Sequence, residues 1–427
     1  MNEPFDRRDF LSLISAATVA FVPGAAWAAA PQAARAVPTD FFGLHMQWPL
    51  RAPYISNFPA VPFTCWRAIL PELHWFSLEP KPGEWQFAKM DIAMRLMAAR
   101  NIDVLYTLGY PAAWASTLPD LKGPYAYGEK GLPRRMADWE NYVRTVATRY
   151  RGRLRHYELI NEPALKEVDG SKAHFSAAEL VELARVTHRV LKEVDPQNRL
   201  TTPAMVGGQT GVDRMEAFFS AGGHKYCDIV SFHFYGFPEQ IPEVHSALKK
   251  VMGKFGVQHL PVWNTEYGYL IEDPTTQNTH PLIGGSFARI FPPQEAAALL
   301  ARSYIIAASV GIDRFYWFHW DGKDMGLVTH KDRQINAAGV AYGTVAGWLG
   351  GKEIGPLQRN GNVIFCELFA GGASHGHLVW TRDHKPMTWT APNSWGSGAV
   401  MSLDGSRGVL SPVRELGVSA EPVLIMR

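Results

Sequence analysis

A rhythm constrains this chain before any single motif does. From Phe41 onward, a short apolar run is followed repeatedly by a stretch of helical periodicity. Strand-like runs fall at 41–47, 64–69, 103–109, 156–160, 200–206, 228–235, 262–267 and 314–320. They are rich in Val, Ile, Tyr, Phe and Trp and bounded by Gly or Pro. The intervening helices carry their own punctuation. Ser176-Ala177-Ala178-Glu179 reads as a capping box, and Pro196 lies just past the end of the helix it opens. Further helices are read at 136–150, 243–255, 293–310 and 337–349. Eight strands alternating with helices predict a (β/α)8 TIM barrel over residues 40–350. An open doubly wound sheet is the other arrangement. No G-x-G-x-x-G or P-loop pattern follows the first strand, which weighs against it.

Past Gly350 the rhythm changes. Short strand-like pieces at 363–369, 377–381, 387–389 and 423–426 are separated by Gly, Pro, Asn and Ser, predicting a small antiparallel β domain at 351–427 packed on the barrel. The other end reads as an address. Arg7-Arg8-Asp9-Phe10-Leu11 precedes an Ala-rich apolar run, and Ala26-Trp27-Ala28 has the form of a signal-peptidase site. Residues 1–28 are therefore expected to be a twin-arginine-type export signal, with the periplasm or the exterior as destination. An uncleaved anchor is the alternative. The apolar run is short for a bilayer, and no other stretch reads as transmembrane.

Composition removes several function classes. With 42 basic and 40 acidic side chains and no basic stripe, nucleic acid is not expected as a partner. Three distant cysteines exclude a disulfide framework and a Cys-rich metal site. Cys65 and Cys227 read as small buried strand residues. His375-Gly376-His377 is a His-x-His without acidic neighbours, so neither a metal nor a cofactor is expected. No G-x-S-x-G nucleophile elbow is present.

In such a barrel, chemistry sits at the C-terminal ends of strands. Two carboxylates occur there: Glu162, in Leu159-Ile160-Asn161-Glu162-Pro163, and Glu266, in Trp263-Asn264-Thr265-Glu266-Tyr267-Gly268. Both lie among apolar and aromatic residues, where an unpaired carboxylate is costly and its pKa rises. Two carboxyls in different environments can divide the acid and nucleophile roles of glycoside hydrolysis. On these grounds alone, membership of a structural ion pair is the lesser alternative for each.

These residues resemble the signature of the clan A glycoside hydrolases: Asn161-Glu162-Pro163 after the fourth strand, Glu266 at the seventh, and Trp75-Phe76-Ser77-Leu78-Glu79-Pro80 with Gly83-Glu84-Trp85-Gln86-Phe87 after the second. The plan of barrel plus β tail is most similar to glycoside hydrolase family 39, and within it to bacterial exopolysaccharide-cluster glycosidases. The resemblance implies that Glu162 is the general acid/base and Glu266 the nucleophile of a double displacement with retention. It also implies that Asn161 binds the sugar 2-hydroxyl, that Arg67 stands beside the nucleophile, and that Tyr235 hydrogen-bonds it. His233 would help position the site, and Trp320 would form the floor under the cleaved sugar. His45 and Trp114 are further sugar-contact candidates, although core packing is the stronger reading for any single Trp. The expected substrate is a polysaccharide or oligosaccharide, cleaved at β-glycosidic bonds by endo action on a bacterial exopolysaccharide. The alternatives are an exo-acting β-xylosidase-like enzyme and a non-catalytic carbohydrate-binding barrel. Residues 270–292 would lie at the active face as a substrate-shaping loop.

Overall fold

The computed structural model describes residues 33–47, 49–50, 58–276, 289–383, 385–395, 398–410 and 414–427. The expected signal at 1–28 and the middle of the 270–292 loop lie outside the described residues.

The alternating rhythm folds into one parallel sheet of nine strands. Their order is Arg199–Thr201, His156–Leu159, Asp103–Leu108, Cys65–Ala68, Phe42–Leu44, Arg314–Trp317, Val262–Tyr267, Val230–His233 and Met205–Val206. All pairings are parallel. The expected fifth strand is thus two pieces, interrupted around Pro203, which has no N–H to give a ladder. These two pieces form the two edges of the sheet. The Arg199–Thr201 edge meets the segment that leads into Val230–His233: Asp228 N–H donates to Leu200 O at 2.8 Å and Thr202 N–H to Ile229 O at 3.0 Å.

Strand boundaries differ from the sequence reading at several ends. The first, sixth and eighth expected strands shrink to Phe42–Leu44, Val230–His233 and Arg314–Trp317. Tyr235 and Trp320 therefore sit on the loops that follow. Cys227 is a half-buried loop residue at the end of a short 3-10 turn rather than a strand residue.

The helices begin and end as local chemistry dictates. Ser176 caps Ala177–Val194 with the full capping box, Glu179 reaching back to the Ser176 N–H. Pro293–Val310 opens on proline and closes at Gly311, whose φ of 98° no β-carbon-bearing residue adopts easily. Asn336, which the sequence reading did not single out, caps Ala337–Leu349 by accepting the Gly339 N–H. Among the described residues, no helix is long and apolar enough to cross a membrane.

The tail forms an antiparallel sheet around the hairpin Val363–Ala370 and Ala373–Thr381, with Val423–Met426 beside it. Arg35–Ala36 joins this sheet by pairing with Glu353–Ile354, so it draws a strand from ahead of residue 40. Leu368, Leu378, Trp380 and Leu424 share one apolar core with Phe42, Tyr304 and Tyr342 of the larger unit. The Thr344 hydroxyl donates to Leu403 O at 2.9 Å across that contact.

Side chains on the concave side of the parallel sheet are layered, because a strand returns to the same face every second residue. Cys65, Leu105, Ile229, Trp263 and Tyr316 form a separate apolar layer. Two residues further along the same strands come Arg67, Thr107 and Ser231, a buried polar layer. The glutamates stand above it.

Candidate active site

Glu158 is the root of the site. It lies at the centre of His156–Leu159, fully buried, and every neighbour it has gives it a hydrogen. Arg67 donates to its Oε2 from Nε at 2.7 Å and from Nη2 at 2.5 Å. Thr107 donates to the same oxygen at 2.9 Å, and Thr265 to Oε1 at 2.7 Å. Arg67 then reaches upward: Nη1 donates to Glu266 Oε2 at 2.8 Å and Nη2 to Asn161 Oδ1 at 2.6 Å. One guanidinium fork thus fixes both strand-four residues and the strand-seven glutamate.

Glu266 owes its direction to a break in register. Phe232 pairs with Asn264 but His233 pairs with Glu266, and the opposite neighbour shows the same skip between Phe315 and Trp317. Thr265 is the extra residue of a bulge. Regular alternation would send Thr265 and Glu266 to opposite faces. With the bulge, Thr265 reaches Glu158 while Glu266 reaches Arg67.

Glu162 is held by backbone in an uncommon conformation. Ile160 and Glu162 have φ of 52° and 45°. Such values cost a non-glycine residue roughly 1–3 kcal/mol. The neighbouring chain compensates: Ala204 N–H donates to Ile160 O and Glu162 N–H to Ala204 O. The turn lifts the carboxyl toward Val230–His233, where His233 Nδ1 lies 2.8 Å from Glu162 Oε1. Tyr235, on the loop that follows the strand, donates its phenol to Glu266 Oε1. One oxygen from each glutamate and a ring nitrogen of His233 lie within 4.8 Å of one another.

Burial governs the protonation of this cluster. It pushes the Glu162 carboxyl up to about 7; Arg67 and Arg214 oppose the rise, and Glu158 adds to it. It lowers His233 to about 4, so the imidazole is neutral. It also raises Glu266, against which Arg67 and the Tyr235 hydroxyl act as donors. The two carboxyls therefore differ in kind: Glu266 accepts on both oxygens, and Glu162 faces a neutral imidazole.

Of the residues singled out from sequence, the structure brings together Glu162, Glu266, Asn161, Arg67, His233 and Tyr235. The other three make contacts of their own. His45 is buried, its Nε2 against Thr265 O at 2.8 Å and its ring edge-on to Phe318, within electrostatic reach of Arg67 and His233. Trp320 is 4% exposed and packs into the main core. Trp114 belongs to the second-strand motif, its indole donating to Glu79 O at 3.0 Å and lying edge-on to Trp75. That motif is a staple. The Glu79 carboxylate accepts the Trp75 indole and the Gly83 N–H, both at 2.8 Å. His377 does have an acidic neighbour, Glu367 at 4.0 Å across the hairpin, and its ring stacks on Trp395.

Glu158, Thr265 and Thr107 were missed. A signal for Glu158 was present: an acid at the centre of a buried apolar strand needs a buried cation, and Arg67 was the available one. Nothing local announced the bulge at Thr265.

Residues 137–292 match the family model described as glycosyl hydrolase catalytic core. Similar solved structures include a family 39 glycoside hydrolase from the gut symbiont Bacteroides cellulosilyticus WH2. It is 20% identical with a TM-score of 0.71, covering 91% of this chain and 81% of that one. A family 39 β-xylosidase from Caulobacter crescentus is 13% identical with a TM-score of 0.59, covering 92% of this chain and 97% of that one. The catalytic domain of family 30 xylanase C from Talaromyces cellulolyticus is 14% identical with a TM-score of 0.60, covering 93% and 99%. The chain is similar to family 39 glycoside hydrolases, as its motifs implied, and the structural likeness is one of fold.

Proposed function

We propose that this protein is a retaining glycoside hydrolase that cleaves β-glycosidic bonds within a polysaccharide. The observation that carries the reading is the meeting of Glu162 and Glu266, atoms within 4.8 Å, in unlike environments. Retaining enzymes hold their carboxyls about 5–5.5 Å apart, while inverting ones leave room for a water at roughly 6.5–9.5 Å. The nine-stranded sheet is read as an eight-stranded closed barrel, since Leu200 O accepts from Asp228 N–H and Thr202 N–H donates to Ile229 O, tying the Arg199–Thr201 edge to the segment that leads into Val230–His233.

In the first step, a Glu266 carboxylate oxygen bonds to the anomeric carbon as the bond to the leaving oxygen breaks. The Glu162 proton passes to that leaving oxygen. In the second step, Glu162, now a carboxylate, takes a proton from water. The water oxygen bonds to the anomeric carbon and Glu266 leaves. Asn161 has its Oδ1 engaged by Arg67, so its NH2 is the group that meets the sugar 2-hydroxyl.

Endo action on a bacterial exopolysaccharide is the finer reading, supported by the resemblance and by the export signal read at residues 1–28. Likeness to a β-xylosidase structure favours exo action as the second. The test is incubation of the purified protein with β-linked polysaccharides, including the producer's own exopolymer. Proton NMR of the first-formed product should show the β anomer. An α anomer overturns retention, and inertness toward every polymer and aryl glycoside overturns the enzyme. Short oligomers report endo action, and monosaccharides exo. Detection of the protein in a periplasmic fraction, dependent on Arg7 and Arg8, tests export.

A further inference from the structure

The hydrogen bonds beneath Glu162 have a direction. Glu158 accepts from Arg67 and Thr107 on Oε2, so its Oε1 can only accept from Thr265. A threonine hydroxyl has one hydrogen. Spent on Glu158, it leaves Oγ1 able only to accept from His233 Nε2, 3.0 Å away. A neutral imidazole that carries its hydrogen on Nε2 presents a lone pair at Nδ1. Facing that lone pair at 2.8 Å is Glu162 Oε1, which must then bring the hydrogen itself.

We propose that Thr265 is a positioning residue that sets this chain's direction, so that Glu162 rests in its acid form. The inference rests on the reading of Glu162 as the acid. It adds what holds the proton there: the ion pair of Glu158 with Arg67, transmitted through one hydroxyl and one imidazole. The same arrangement serves the second step. Once Glu162 has given its proton to the leaving oxygen, its carboxylate faces an imidazole lone pair and nothing on that side stabilises the charge. It therefore takes a proton from the attacking water more readily, which restores the original hydrogen bond.

Other charged and titratable groups surround the pair. Arg67, Arg214 and Glu158 act on Glu162, which in turn acts on Tyr110, Tyr235 and Glu266. Glu266, Arg67 and Glu158 act on His233, which in turn acts on His45. A substitution at Thr265 changes none of these side chains and takes one hydrogen bond from Glu158, which keeps its donors Arg67 and Thr107.

The first measurement is nitrogen NMR of the full chain carrying 15N-labelled histidine. In the wild type, His233 should be neutral with its hydrogen on Nε2. The second is Thr265→Val, which removes the acceptor. His233 should then carry its hydrogen on Nδ1 and donate to an ionised Glu162. The basic limb of the pH–rate profile should fall by about one pH unit or more, tenfold in proton affinity. Thr265→Ser should restore both. A wild-type His233 protonated on Nδ1 overturns the proposal, as does a Thr265→Val protein with unmoved tautomer and limb. The wild-type NMR reading needs neither variant nor activity. A chain inert on every glycoside but with the Nε2 tautomer would sink the enzymatic reading alone.

Discussion

Arg67 donates two hydrogen bonds to one oxygen of Glu158, and neither side chain meets solvent. The pair lies beneath the glutamates, yet it orients Glu266 and Asn161 through the same guanidinium. Removing one partner of a buried ion pair costs about 3–5 kcal/mol, since the other charge is left uncompensated. Glu158→Gln is therefore expected to lower stability by that order in urea titration. It should also reduce kcat at least tenfold, because Arg67 is released from its fixed fork. Stability unchanged within 1 kcal/mol would refute the assignment of Glu158 as the root of the site.

Glu162 and Glu266 should fail differently. Glu266→Gln removes the nucleophile and should abolish turnover of every glycoside. Glu162→Gln removes a proton donor, worth about 10²–10⁴ in rate. With an aryl glycoside whose phenol is acidic enough to leave unprotonated, the loss in the first step should nearly vanish, and a burst of phenol should precede slow turnover. Stopped-flow release of the phenol reads this directly.

Burial of Glu162 has a consequence for stability as well as rate. Its folded pKa, about 7, lies above its ordinary value of 4.5. The folded state keeps the proton longer than the unfolded chain, so stability from this group is full below pH 4.5 and is lost as pH rises to 7. The loss is about 3 kcal/mol. Glu162→Gln cannot ionise, so its stability relative to wild type should climb across that window and then level off. Activity of the wild type should fall as pH rises through about 7. Thermal melts and kcat/KM over the same pH series check both.

Tyr235 donates to Glu266, and Tyr235→Phe removes that donor. A carboxylate that loses a hydrogen bond becomes more basic. The acid limb of kcat/KM should move to higher pH, and kcat should drop by about tenfold to a hundredfold, with the basic limb unmoved. Movement of the basic limb alone would show that Tyr235 acts on the wrong glutamate.

At the opposite end of the sheet, Asp103 accepts from Arg314 and sits 2.7 Å from His156. Despite its burial, His156 and Arg314 bring its pKa down to about 2 from 3.8. A lowered carboxyl gives stability above pH 3.8 that is lost as pH falls to 2. The amount is at most about 2 kcal/mol, because part of the group meets solvent. Asp103→Asn should flatten the acid arm of the stability curve while leaving the pH–rate profile near neutrality unchanged.

The larger pattern was legible because it is periodic. A parallel strand buried on both faces must read as a short apolar run, and a helix packed on it must repeat every three to four residues. The order of strands follows from those two periods. Asn161-Glu162-Pro163 and Glu266 were visible because each sets an acid at a strand end, and His233 and Tyr235 because alternation places them on one face. Trp320, Trp114 and His45 were less legible. An aromatic side chain in sequence looks the same whether it lines a hollow or fills a core, and here Trp320 packs into the core, Trp114 joins the Glu79 staple, and His45 meets the Thr265 backbone.

By itself the chain's order of residues determined the alternating architecture, the two glutamates and the motif around Trp75 and Glu79, because all of these are local or periodic. Only tertiary structure decided which way each glutamate faces. One bulged residue turns Thr265 and Glu266 into the same hollow, and Arg67, ninety-one residues before Glu158 and 199 before Glu266, binds both. Such contacts depend on register between strands far apart in the chain, and no stretch of neighbouring residues encodes a register on its own.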